Sequence, residues 1–269
     1  MPVRSCAKTD VGLRRKHNED CYFASDEMGL YLVADGMGGH AAGEIASHAA
    51  VQTIREFVTR AESDPDMTYP FGVDHSLSGT ENMMLSAVKL ANRFICRMAA
   101  QKLEISGMGT TIAGVKIHKG QAVVFHVGDS RIYSVRRDKL QQLTTDHSWV
   151  NEQLQRRLIT EDEARRHRWR NVITRALGNK NAIEVDLKTV LMQDGDILLL
   201  CTDGLSGLLS DDVILETLSQ QRDDPEQACN DLVAQANAAG GHDNITAVIV
   251  HYFAAPRAPT EEQATIPDP

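Results

Sequence analysis

The chain has 269 residues, 42% hydrophobic and 24% charged, with a formal net charge of −9. That is the profile of an ordinary globular protein of one large or two small domains. The acidic balance argues against nonspecific nucleic-acid binding, which depends on neutralising phosphates with Lys and Arg.

Five widely spaced cysteines with no Cys-x-x-Cys argue against a disulfide framework or a zinc site and for a reducing compartment. The opening MPVRSCAKTD has no apolar signal core, and no apolar run reaches membrane-span length, so a cytoplasmic location away from the membrane is expected.

In chain order, short strands are predicted at about 5–9, 21–25 and 30–34, then a helix over 41–60. Residues 61–80 hold Pro65, Pro70, Gly72 and Gly79 without periodicity and read as a loop. Met84, Val88, Ala91, Ile95 and Met98 then fall on one face of a helix over 81–102, a core-packing stripe. TTIAGVKIH, QAVVFHVGD and RIYSVRR follow as three β-rich runs and suggest an antiparallel meander.

A charged stretch, 146–175, precedes strands at 183–192 and 197–201, separated by the turn QDGD. Helices at 210–219 and 225–238 and a strand at 244–253 complete the order. Four of the eight prolines lie after Ala255, and 254–269 reads as a disordered tail. Strands surrounding blocks of helices indicate an α+β protein with helices covering an antiparallel core rather than βαβ alternation.

The stretch YLVADGMGGHAAGE, 31–44, poses the functional question. Its glycines match a relaxed dinucleotide pattern and half of a P-loop, each a weak signal. Asp35 directly before the first glycine would repel a pyrophosphate, and Glu44-Ile45 stand where a P-loop needs Lys-Ser/Thr. Asp203 repeats the pattern, an apolar run followed by Asp-Gly, so two buried strands would bring both carboxylates to one end of the core. TDVGLRRKHNED, HVGDSR and GGHDNIT add further aspartates near turns. Taken singly these are turn signals; crowded together, such carboxylates repel unless protonated or bound to cations, and Mg²⁺ or Mn²⁺ favour oxygen ligands.

The ordered blocks Arg15-Lys16-His17-Asn18-Glu19-Asp20, Asp35-Gly36-Met37-Gly38-Gly39, Gly109-Thr110-Thr111, Val127-Gly128-Asp129-Ser130-Arg131, Thr202-Asp203-Gly204-Leu205 and His242-Asp243-Asn244 resemble the metal-dependent protein phosphatases of the 2C family. The nearest likeness is to its compact bacterial members. The resemblance implies a β-sandwich of two antiparallel sheets flanked by helix pairs, within a catalytic domain over 1–253 carrying a flap at about 146–183. It also implies two Mn²⁺ or Mg²⁺ ions and hydrolysis of phosphoserine and phosphothreonine.

By position, Asp35 would bridge both metals, the Gly36 carbonyl would bind one, and Asp203 and Asp243 would hold the other. Asp129 matches an aspartate that helps hold a third, weaker metal, Glu19 and Asp20 match residues acting through metal-bound water, and Arg15 matches the arginine that grips the phosphate. The implied partners are phosphoproteins made by a serine/threonine kinase, acted on by a monomer.

Met37 stands where some members carry a histidine proposed as general acid. His40 is the nearest substitute, with a solvated helix-start histidine and proton donation from metal-bound water as the alternatives. Cysteine-based phosphatase chemistry is excluded, since no cysteine begins a Cys-x5-Arg. A catalytically dead binding module would have lost ligand aspartates, and none is lost. Finally, 155–175 holds seven arginines, either a solvated helical face or a positive surface attracting phosphorylated segments.

Overall fold

The computed structural model describes residues 3–39, 41–64 and 66–253, with the backbone alone at Ala41 and Arg165. His40 and the expected tail at 254–269 lie outside the described residues. Eleven strands and seven α-helices follow in order: β1 (Val3–Asp10), β2 (Asp20–Ser25), β3 (Leu30–Met37), α1 (Ala41–Ser63), α2 (Gly79–Gln101), β4 (Gly109–Thr110), β5 (Ile112–His118), β6 (Gln121–Val127), β7 (Arg131–Arg136), β8 (Lys139–Gln142), α3 (Trp149–Gln155), α4 (Glu161–Arg166), β9 (Asp186–Leu191), β10 (Ile197–Cys201), α5 (Asp203–Ser206), α6 (Asp211–Gln220), α7 (Pro225–Ala238) and β11 (Ile245–Tyr252).

The strands form two antiparallel sheets. One is ordered β1-β11-β10-β7-β8; the other is ordered β2-β3-β5-β6-β9, with β4 paired to β3.

Strict alternation along the strands explains the layering. In β3, Leu30, Leu32 and Ala34 pack toward α1 and α2, while Tyr31 and Val33 enter the space between the sheets. In β10, Ile197, Leu199 and Cys201 face α6 and α7, while Leu198 and Leu200 face inward. Both faces of these strands are covered, which is why LYLVA and ILLLC read as unbroken apolar runs. The result is helices, sheet, sheet, helices, with three apolar layers between them. The capping box of Ser78 and Glu81 starts α2, and Asp224 with Pro225 starts α7, both ordinary N-terminal devices.

One expectation is corrected. The three β-rich runs do not form a meander, because β5 pairs with β6 whereas β7 pairs with β8 and β10 in the opposite sheet. The Gly128-Asp129-Ser130 turn is therefore a crossover between sheets. Gly128 has φ +114°, and a Cβ there would lie 2.6 Å from the Thr111 side chain, so only glycine turns the chain so close to its neighbour. The short β4, β8 and α5 have too few residues to show a period in the sequence.

Candidate metal centre and active site

The site forms where the space between the sheets opens at one end. Asp35 follows Tyr31 and Val33 on the inward face of β3 and lies opposite Asp20 in the β2–β3 register. Continuing the inward faces of β10 and β11 past Leu200 and Val248 brings Thr202 and Thr246 to the same place. Both hydroxyls donate to Asp20 Oδ2, at 2.8 and 2.6 Å. Asp203 begins α5 directly after β10, and Asp243 lies just before β11. Asp129 comes in on the crossover. Asp35 and Asp203 meet carboxyl to carboxyl, as the two Asp-Gly motifs predict.

A lattice of neutral hydrogen bonds fixes the backbone under these carboxylates. Asp35 N–H donates to Thr111 Oγ1 at 2.9 Å, and that hydroxyl shares a 2.7 Å bond with Ser130 Oγ beside Asp129. Thr110 Oγ1 donates to the Asp35 carbonyl at 2.8 Å. Asn244 donates through Nδ2 to the Val11 and His17 carbonyls, and its Oδ1 accepts Glu19 N–H, which pins the loop carrying Arg15 to Glu19. Thr246 has no signal of its own in the sequence and Thr202 enters it only as the first residue of the Thr202-Asp203-Gly204-Leu205 block; the alternation of β10 and β11 toward Asp20 is what places both.

The glycines of the opening stretch also acquire a role. A Cβ at Gly36 would lie 2.2 Å from the Gly43 carbonyl, and one at Gly43 would lie 2.0 Å from Glu19 Oε2. They allow β3, the first turn of α1 and the buried Glu19 to touch, with the carboxylate against a helix start. Gly36-x-Gly38 and Gly38-x4-Gly43 are packing glycines.

The electrostatics are those of a cation site. Burial, then Asp20, Asp203, Asp129 and Asp243, pushes the Asp35 carboxyl well above the usual range. Burial raises Asp20 to about 7, against the lowering bonds from Thr246 and Thr202. Burial, then Asp203 and Asp146, raises Asp129 to about 8. Asp203 is raised by burial and then by Asp243. Oδ1 of Asp20, of Asp129 and of Asp203 are buried without a hydrogen-bond partner. Three orphaned carboxylate oxygens in an all-oxygen donor set fit hard divalent ions.

Arg15 reaches the centre at its rim. Its Nη2 donates to Asp243 Oδ2 at 2.6 Å, while Asn244 N–H donates to Asp243 Oδ1 at 2.8 Å. The guanidinium is half exposed and keeps donors for a ligand. Met37 pairs with Gly109 at the end of β3. A cavity of about 850 Å³ opens from Asp129, Asp203 and Asp243 toward Asn151 and Leu154 of α3 and toward Arg170.

A family model described as Protein phosphatase 2C matches residues 14–246. The serine/threonine phosphatase stp of Listeria innocua is 35% identical over 246 residues, covering 90% of this chain and 93% of that protein. The crystal structure of the Mycobacterium tuberculosis serine/threonine phosphatase PstP/Ppp superposes with a TM-score of 0.82 at 32% identity, covering 94% of this chain and 99% of that one. The catalytic domain of PstP in complex with two manganese ions superposes at 0.79, again with 32% identity and with 94% and 99% of the two chains covered. With every acidic block of the sequence gathered at one end of the same sandwich, the chain belongs to the protein phosphatase 2C family.

Proposed function

We propose that the protein is a serine/threonine phosphatase that hydrolyses phosphoserine and phosphothreonine in proteins, working with two Mn²⁺ or Mg²⁺ ions. The observation that carries this is the convergence of Asp20, Asp35, Asp129, Asp203 and Asp243, with three buried carboxylate oxygens left without partners. Asp35, Asp203, Asp243 and the Gly36 carbonyl would hold the two ions, and Asp129 would contribute to a weaker third. Divalent ions in such a site supply a nucleophile from water at neutral pH and neutralise charge on an in-line phosphoryl transition state.

The chain's own residues do the rest. Thr202 and Thr246 hold the Asp20 carboxylate to one orientation. Asn244 fixes the loop from which Arg15 projects, and that guanidinium can turn from Asp243 to a phosphate with two parallel donors. The cleft beside α3 leaves room for the polypeptide on either side of a phosphorylated residue. Its natural substrates would be proteins phosphorylated by a serine/threonine kinase.

A reducing cytoplasmic setting is supported by five free cysteines. Among the described residues no helix is long and apolar enough to cross a membrane.

The test is hydrolysis of p-nitrophenyl phosphate and of a phosphothreonine peptide with Mn²⁺, with Mg²⁺ and with EDTA. Turnover with Mn²⁺ and none with EDTA is expected; equal turnover in EDTA would sink the reading.

A further inference from the structure

Outside the acidic centre, a second cluster of titratable groups sits at the root of the segment between β8 and β9. His147 is buried, 8% exposed, and holds a single residue twice. Its backbone N–H donates to the Gly128 carbonyl at 2.9 Å, and Gly128 N–H donates to His147 Nδ1 at 3.0 Å. An acceptor at Nδ1 places the ring proton of a neutral imidazole on Nε2. Asp186 Oδ1 lies 3.4 Å from Nε2 and can take that proton. Arg175 Nη1 lies nearer, 3.0 Å from Nε2, and donates to Asp186 Oδ1 at 2.6 Å, so in this tautomer the arginine turns its hydrogens to the carboxylates and makes no hydrogen bond to the ring. The His147 carbonyl accepts Thr174 N–H at 2.8 Å, so the same residue also holds the returning end of the segment.

His126, Nε2 2.9 Å from the Thr145 carbonyl, stacks on the His147 ring at 4.6 Å and 15°. The ligand atoms of His126, His147 and Asp186 lie within 4.8 Å of one another, a spacing that could suit a metal. Arg175 already supplies the cation there, and His147 Nδ1 is committed to Gly128. The cluster is therefore a joint, and what it joins matters. Gly128 is the residue whose left-handed backbone starts the crossover, and Asp129 is the next one.

We infer that His147, neutral and protonated on Nε2, is a positioning residue that couples the seating of the β8–β9 segment to the backbone presenting Asp129. The surrounding charges support that form. Around the ring stand His126 from β6, Arg175 with Glu184 from the returning chain, and Asp186 from β9, while the adjacent Asp146 is paired with Arg131. Burial, then His126 and Arg175, pushes the ring down to about 4. A protonated ring would set N–H against the N–H of Gly128. The consequence for catalysis rests on the phosphatase reading; the hydrogen bonds do not.

Two substitutions separate the two links. In His147→Asn, a side-chain oxygen near the place of Nδ1 can still accept Gly128 N–H but cannot reach Asp186. In His147→Gln, the amide reaches toward Asp186 and leaves Gly128 without its acceptor. His147→Gln should raise the Mn²⁺ concentration for half-maximal hydrolysis of p-nitrophenyl phosphate by about tenfold, the scale of losing an outer partner of a metal ligand. It should also speed hydrogen exchange at the Gly128 amide. His147→Asn should keep both near wild type, and raise KM for phosphoproteins while leaving kcat for the small substrate unchanged.

In the wild-type protein without metal, ¹⁵N spectra of the ring should show Nε2–H at neutral pH, a readout that needs neither substrate nor a folded variant. An Nδ1–H tautomer or an imidazolium would overturn the inference, as would identical behaviour of the two variants. Because ring tautomer and amide exchange are read without turnover, failure of the phosphatase reading would leave this test intact.

Discussion

The acidic centre and the segment over 146–183 face each other across one cleft but are held in different ways. Asp20 and Asp35 ride on paired strands, Asp203 and Asp243 adjoin β10 and β11, and their register is fixed along eight paired positions of β1 and β11 and five of β10 and β11. The segment instead has two short helices, and α3 buries no residue. Its order is local: a Ser148 cap, a Thr160–Glu163 capping box, and Trp149 stacked on His167 at 4.6 Å and edge-on to Trp169 at 4.7 Å.

Among the described residues its roots tie it to the body, through Asp146 with Arg131, His147 with Gly128, Arg175 with Asp186, Leu177 with Thr110, and Asn92 with Gly178 and Lys180. Chemistry needing fixed ligand geometry sits where the sheets impose it. On the proposed reading, the face that would meet a variable partner sits where few buried contacts resist change.

The sharpest break of that contrast is at the centre. Asp35→Asn should cut turnover of p-nitrophenyl phosphate by about 10³-fold or more at saturating Mn²⁺, the scale of losing an essential electrostatic contact. The metal-free variant should melt above metal-free wild type, because one of the crowded carboxylates is gone. Wild-type turnover would remove Asp35 from the metal assignment. Arg15→Ala comes next, with kcat/KM for phosphopeptides falling about 10- to 100-fold, as expected for charge-assisted hydrogen bonds. A loss confined to structural stability, with kinetics intact, would place Arg15 on Asp243 alone.

Much of this contrast was legible in the sequence, and for a physical reason. Strands covered on both faces leave long apolar runs, so LYLVA and ILLLC declared themselves and pointed Asp35 and Asp203 to the same end. The dense blocks around Arg15, Asp129 and Asp243 were legible as a set whose order resembles one family. The crossover at Gly128 was not, because periodicity marks a strand without saying which sheet it joins. Thr246 and His147 were equally silent, and Thr202 was legible as part of a block but not as a support, since a hydroxyl or imidazole becomes a support only once the fold brings an acceptor or donor to it. His40 lies outside the described residues, so its part in proton donation remains a proposal to be read from the pH–rate profile of His40→Ala.

A smaller effect separates the two regions by pH. Without metal, the folded protein holds protons on Asp20 and Asp129 up to about 7 and 8, whereas their unfolded counterparts lose them near 3.8. Their contribution is present at low pH and is lost as pH rises through 7 and 8. His147, pushed down to about 4, and His126, also lowered, act in the opposite sense: their contribution is lost as pH falls below the unfolded value of 6.5. Well above 6.5 the contribution of Asp20 and Asp129 is the one that falls with rising pH. The melting temperature in EDTA should therefore fall by a few degrees between pH 6.5 and 8.5, and Asp129→Asn should flatten that slope. A flat wild-type profile would mean that these carboxylates are ionised throughout.

The smallest expected effect bears on the segment alone. Arg170 lines the cleft, whereas Arg166 and Arg168 lie on the outer face, Arg168 over the Trp169 ring at 4.7 Å. A merely solvated helical face would tolerate their loss. A surface that draws acidic, phosphorylated chains to a protein of net charge −9 would not, and its pull would be screened by salt. Replacing Arg166, Arg168 and Arg170 with Gln should lower kcat/KM for phosphoproteins about fivefold at low ionic strength, and by less than about twofold for p-nitrophenyl phosphate. The gap should close at high salt. Arg170→Gln alone should weaken short phosphopeptides that fill only the cleft, while the outer pair should matter only for longer chains. Equal losses on all substrates, independent of salt, would make the arginines part of the segment's internal packing and leave the cleft walls as the sole determinant of specificity.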